Sequence, residues 1–119
     1  MIAKEFISTA IIPLKTSDSG SYALNIMEEI KVSHLPIVNN EEFLGLISQA
    51  DIENLNEPEE ALGNHHLSLL RPFVYFDQNI FEIIRLFSSQ KLSLLPVLER
   101  NNTYLGVITL CSLVQKFSH

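Results

Sequence analysis

The chain has 119 residues, which suits one domain or two tightly packed half-domains. Hydrophobic residues make up 46% of it, enough for a real core, and charged residues only 18%, a shortfall that predicts extensive burial or a partner-covered face. The formal net charge of −6 argues against a broad nucleic-acid surface, and the single cysteine, Cys111, excludes an intramolecular disulfide.

One unpaired cysteine fits a reducing, cytoplasmic compartment. The start, Met1 to Phe6, lacks the apolar run of a signal peptide. No stretch approaches the roughly 20 apolar residues of a membrane span, so a soluble protein without membrane contact is expected.

In chain order, residues 3–9 predict a short helix with Phe6 and Ile7 facing inward. Ile11-Ile12-Pro13-Leu14 reads as a short strand, and Pro13, lacking an N–H, belongs at an edge or bend. Thr16-Ser17-Asp18-Ser19-Gly20 is turn and N-cap chemistry. A helix follows to about Lys31. Ala23, Ile26, Met27 and Ile30 form its buried stripe at three- and four-residue steps. Lys31 sits at its C-terminal end, where positive charge suits the helix dipole. Leu35 to Val38 and Phe43 to Ile47 are strands joined by a hairpin-like turn at Asn39-Asn40-Glu41-Glu42. Gly45 within the second strand implies a bulge or a close backbone approach. A short helix from Gln49 ends in the acidic segment Glu53 to Glu60, where Pro58 helps stop it.

The order then repeats. Phe73-Val74-Tyr75-Phe76 is a strand, and Asp77-Gln78-Asn79 a cap, with Asn79 and Glu82 at capping-box spacing. Ile80, Ile83, Ile84 and Phe87 are the buried helical stripe. Leu94 to Leu98 and Tyr104 to Thr109 are strands joined through Arg100-Asn101-Asn102, and Leu110 to Phe117 is the closing helix. Lys31, Ser33, Leu35 and Pro36 match Lys91, Ser93, Leu95 and Pro96 at one spacing. After one extra residue in the second hairpin, Leu44, Gly45 and Ile47 match Leu105, Gly106 and Ile108. Shared identities in a shared element order establish an internal repeat. The linear division is residues 1–56 for the first copy with its N-terminal segment, 57–66 for a linker, and 67–119 for the second copy.

These residues resemble a tandem pair of cystathionine-β-synthase (CBS) domains, the Bateman module. The resemblance rests on Ala23, Met27, Leu35-Pro36-Ile37-Val38 and Leu44-Gly45-Leu46-Ile47-Ser48 followed by Asp51-Ile52. In the second copy it rests on Leu95-Pro96-Val97 and Leu105-Gly106-Val107-Ile108-Thr109 followed by Ser112-Leu113. It covers the chain from about Phe6 to Phe117. It implies an α+β fold of two β-α-β-β-α repeats with pseudo-two-fold symmetry and two clefts between them. It also implies a homodimer, a regulatory rather than enzymatic role, and binding of AMP, ADP, ATP or S-adenosylmethionine. No room is left for an attached catalytic domain, so a stand-alone module acting on a protein partner in trans is expected.

Ser48-Gln49-Ala50-Asp51 is the main candidate site. By resemblance, Ser48 contacts ribose or phosphate and Asp51 accepts hydrogen bonds from the ribose hydroxyls. An ionised carboxylate takes two hydroxyl donors at once, and N–H groups at the helix start suit a phosphate. The same residues also form a plain capping box. Thr109 is the equivalent in the second copy, but Ser112 replaces the acid, so that cleft is expected to be weak, empty or differently selective. His34 could give a pH-dependent contact near phosphates, or stand as an exposed strand-edge histidine. Thr16 could contact a base or belong only to the helix entry turn. Ile12, Leu14 and Ile37 could sandwich a base or serve only the core. His65-His66, with His34 and His119, show no metal-ligand spacing. No nucleophile–base pair and no glycine-rich phosphate loop is present, so neither enzyme activity nor a metal is expected. The alternative function is a ligand-free dimerisation or partner-docking module.

Overall fold

The computed structural model describes residues 1–116. Its two compact units are residues 13–71, and residues 1–12 together with the chain from Pro72 onward.

In residues 13–71, helix α1 spans Gly20–Ile30. Ser19 caps it, its Oγ accepting from the Tyr22 N–H at 3.1 Å, which satisfies one of the helix's unpaired donors. The helix ends at Lys31, which adopts a left-handed conformation (φ 61°) and returns its N–H to the Met27 carbonyl. Ala23 and Met27 are buried, but Ile30 is exposed, so the buried stripe is narrower than its periodicity predicts. Strand β1 (His34–Asn39) pairs antiparallel with β2 (Glu42–Ser48). Positive φ at Asn40 and Glu41 makes the tight turn between them. A bulge interrupts the register at Ile37/Val38, opposite Gly45. Helix α2 (Gln49–Glu53) follows directly. The strand expected over Ile11 to Leu14 reduces to Leu14, which bridges parallel to Ile37 through its bonds with Pro36 and Val38.

The second unit reuses the plan. Strand β3 (Val74–Tyr75) pairs parallel with β4 (Leu94–Leu98), which pairs antiparallel with β5 (Tyr104–Thr109). The bulge recurs at Val97/Leu98. Helix α3 (Ile80–Gln90) is capped by Asn79 and ends at a left-handed lysine, Lys91. Helix α4 is Leu110–Lys116. Phe117, the expected end of this helix, and His119 lie outside the described residues. The helix expected over residues 3–9 is a single 3₁₀ turn, Ala3–Phe6, with Ala3 and Phe6 buried.

The units differ from the linear division of the sequence at both crossings. Ala3 and Lys4 donate to the carbonyls of Gln78 and Phe76, and Ser8 exchanges two backbone hydrogen bonds with Val107. Residues 1–12 therefore group with the second copy. Reciprocally, Leu70 exchanges two bonds with Leu46 in the first. The expected linker is folded into that unit as well, since Ser21 donates to Pro58 and Leu62 to Asp18, with the Leu62 side chain buried. The matched glycines mark these crossings. A Cβ at Gly45 would lie 2.7 Å from Leu69 Cβ, and one at Gly106 would lie 2.7 Å from Ser8 O. Only a residue without a side chain lets the crossing segment this close.

Each unit buries its own apolar set. Leu14, Met27, Leu35, Ile37, Phe43, Leu46, Ile47 and Ile52 form one core; Val74, Ile80, Ile83, Phe87, Leu94, Leu95, Val107 and Ile108 form the other. Each such burial contributes about 1.5–3 kcal/mol before conformational entropy is counted.

Candidate functional site

The register of β1 and β2 sets His34 directly opposite Ser48, at the end of the hairpin from which α2 departs. Ser48 caps α2, its Oγ accepting from the Asp51 N–H at 3.1 Å. The Gln49 N–H donates to the Ser33 carbonyl at 2.9 Å, tying the helix start back to the entry of β1. Between these elements lies a cavity of about 490 Å³ lined by Ser33, His34, Ser48, Gln49, Ala50 and Glu53.

His34 is half-buried, with Nδ1 3.1 Å from Ser33 Oγ. Burial pushes its pKa below the ordinary 6.5, and the negative charge of Asp51 opposes that shift. At neutral pH the imidazole is therefore predominantly uncharged. The Gln49 side-chain amide donates to Glu53 Oε1 at 2.9 Å and steadies that carboxylate at the rim. Among the described residues lining the cavity, none is lysine or arginine. Asp51 is within electrostatic reach of His34 but does not line the cavity. Its carboxylate accepts no hydrogen bond from the described residues.

Four other expected positions, Thr16, Ile37, Leu14 and Ile12, have different surroundings. Thr16 is tied to Asn39, which donates its Nδ2 to Thr16 Oγ1 at 3.0 Å. Asn39 is at the opposite end of β1 from His34, five residues or roughly 17 Å along an extended strand. Thr16 is thus not brought to His34 and Ser48 in this unit. Ile37 is 1% exposed, held at the strand centre between Leu14 and Gly45. It has no free face for a base; core packing accounts for it, and equally for Leu14. Ile12, by contrast, is 75% exposed.

Thr109 begins the matching helix in the other unit, and its hydroxyl is consumed locally. It accepts from the Ser112 N–H at 3.1 Å and donates to Ser112 Oγ at 2.9 Å, while that Oγ donates to the Thr109 carbonyl at 2.9 Å. Leu94, fully buried, stands where the first copy has His34.

Two features escape the sequence reading. Glu53 is one, although its place four residues after Gln49 puts both on one helix side. The other is a cavity of about 370 Å³ whose lining includes Asn54, Glu57, Glu60, Asn64, His65 and His66. There a hydrogen bond with Glu57, and its charge, raise the Glu60 pKa, and His65 opposes the shift. His65 Nε2 is buried without a hydrogen-bond partner among the described residues. Among the described residues no group of three or more His, Cys, Asp or Glu is placed to hold a metal ion. No helix there is long and apolar enough to cross a membrane.

The family model described as CBS domain matches residues 3–55 and 70–119. Inosine-5′-monophosphate dehydrogenase of Methanocaldococcus jannaschii is 24% identical over 117 residues, covering 96% of this chain and 23% of that protein. The chain thus spans about a quarter of that relative. A CBS domain pair/ACT domain protein from Thermotoga maritima has the same fold, with a TM-score of 0.84 and 20% identity over 98% of this chain and 95% of that one. So does CBSX2, a protein of Arabidopsis thaliana, in its complex with AMP, with a TM-score of 0.80 and 22% identity over 97% of this chain and 94% of that one.

Proposed function

The chain belongs to the CBS domain family, and from that premise we propose that it is a regulatory module without catalytic activity, binding an adenosine-type ligand at Ser48 and Asp51. The observation that carries the reading is the Asp51 carboxylate, placed at a strand-to-helix junction and left without a hydrogen-bond donor by the described residues. Such a carboxylate accepts from both hydroxyls of a ribose. Ser48 Oγ accepts from the Asp51 N–H and keeps its own O–H free to donate. The AMP complex of a protein with this fold supports the choice among ligands. AMP, ADP, ATP and S-adenosylmethionine are the candidates. Binding acts as a switch through differential affinity for two states of the module or its protein partner.

Thermal-shift and calorimetric titration with these four compounds tests the reading. One of them should bind below millimolar concentration, and Asp51→Ala should weaken it by about ten- to a hundredfold, the loss of one or two charge-assisted hydrogen bonds. Failure of all four at millimolar concentration rules the reading out.

A second reading is ligand-free dimerisation or partner docking in the cytoplasm. It is favoured by apolar side chains exposed on α3, with Phe81 70% and Ile84 40% exposed. A stable homodimer of the ligand-free chain in sedimentation equilibrium, dissociated by Phe81→Glu, is its expected signature. A monomer at all concentrations contradicts it.

A further inference from the structure

Resting on the ligand reading above, we infer that Glu53 makes this site select adenosine-type ligands by charge, admitting neutral, cationic or monophosphate compounds and rejecting polyphosphates. A ligand whose ribose is held at Asp51 and Ser48, and whose 5′ substituent passes Ser48, enters the cavity of about 490 Å³ shared by Ser48, His34, Gln49 and Glu53. A phosphate chain there meets the Glu53 carboxylate, held at the rim by Gln49, with the charge of Asp51 nearby. No lysine or arginine among the described lining residues offsets them. His34, its charge suppressed by burial, supplies little compensation at neutral pH.

The helix itself does not ask for this acid. Glu53 is the last residue of α2, where the helix dipole disfavours negative charge. Alignment of Ser48 with Thr109 places Val114 at the same position in the second copy. The carboxylate is therefore particular to one copy, where Gln49 and not the helix end holds it.

Calorimetric titration of the full chain with adenosine, AMP, ATP without divalent cations, and S-adenosylmethionine, at low and at physiological ionic strength, tests this. At low salt AMP should bind at least roughly tenfold more tightly than ATP, with the gap shrinking as salt screens it. S-adenosylmethionine should bind at least as tightly as AMP. Glu53→Gln, a conservative change at an exposed position, should bring ATP to within roughly threefold of AMP. If ATP binds the unaltered chain as tightly as AMP, or if Glu53→Gln leaves the AMP:ATP ratio unchanged, charge selectivity is overturned while the ligand reading stands. If none of the four compounds binds, both fall.

Discussion

Ser48–Asp51 and Thr109–Ser112 hold the same place in two copies of one unit, yet they use their polar groups differently. In the first copy the cap consumes only the Ser48 oxygen and the Asp51 N–H, leaving the carboxylate to seek a donor. In the second, Thr109 and Ser112 close a ring of three hydrogen bonds on themselves. Around the first lie His34, Gln49 and Glu53; at the matching positions the second has Leu94, Leu110 and Val114. A shared backbone thus carries one helix start whose carboxylate takes no donor from the described residues and one whose hydroxyls bond each other. Architecture should respond alike to mutation in both copies, and ligand chemistry should not.

The largest expected effect tests the shared part. Gly45→Ala and Gly106→Ala each drive a Cβ to 2.7 Å from the crossing segment. Each should lower unfolding free energy by about 3 kcal/mol in urea titration, the upper range of overpacking costs. If one is neutral, the two crossings are not equivalent.

A smaller effect separates the cores. Tyr104 stands where the first copy has Phe43, and its buried hydroxyl has no partner among the described residues. Burial pushes its pKa up to about 12. Tyr104→Phe should therefore stabilise the chain by about 1 kcal/mol, the relief of an orphaned polar group. The pH dependence has a definite sign. An unfolded tyrosine ionises near pH 10, and the folded one near 12, so the unfolded chain holds fewer protons between them. Stability should fall as pH rises through that window, and the Tyr104→Phe variant should lose this component. An unchanged alkaline slope contradicts the assignment.

The smallest effect belongs to His34. Its folded pKa is depressed by burial, so the unfolded chain takes up a proton first as pH falls below 6.5. Its contribution to stability is present above that pH and lost as pH drops through the folded value. His34→Leu, which installs the second copy's residue, should flatten the acid limb of the stability–pH curve. A steeper limb means that the histidine is charged in the folded state.

Much of this fold is legible in the residues because each signal has a local cause. The repeated glycines in the returning strands are conformational demands, and both stand at the crossings. The partner of each crossing was not legible. Ser8 meets Val107, and Leu70 meets Leu46, through peptide groups that every residue carries, so no side-chain pattern announces them. At the site, the pairing of His34 with Ser48 follows from hairpin register. Ile37 reads the same in sequence whether a ligand or a core covers it, and the structure buries it. Thr16 is claimed by Asn39, a side-chain bond across 23 residues that no spacing rule reveals.

The asymmetry of the two helix starts is tested most directly by calorimetric titration of the chain with AMP, alone and as Asp51→Ala and Ser112→Ala variants. One ligand per chain, lost or weakened at least roughly tenfold by Asp51→Ala and unmoved by Ser112→Ala, is the expected result. Two equivalent ligands per chain, or affinity indifferent to Asp51 and sensitive to Ser112, contradicts it.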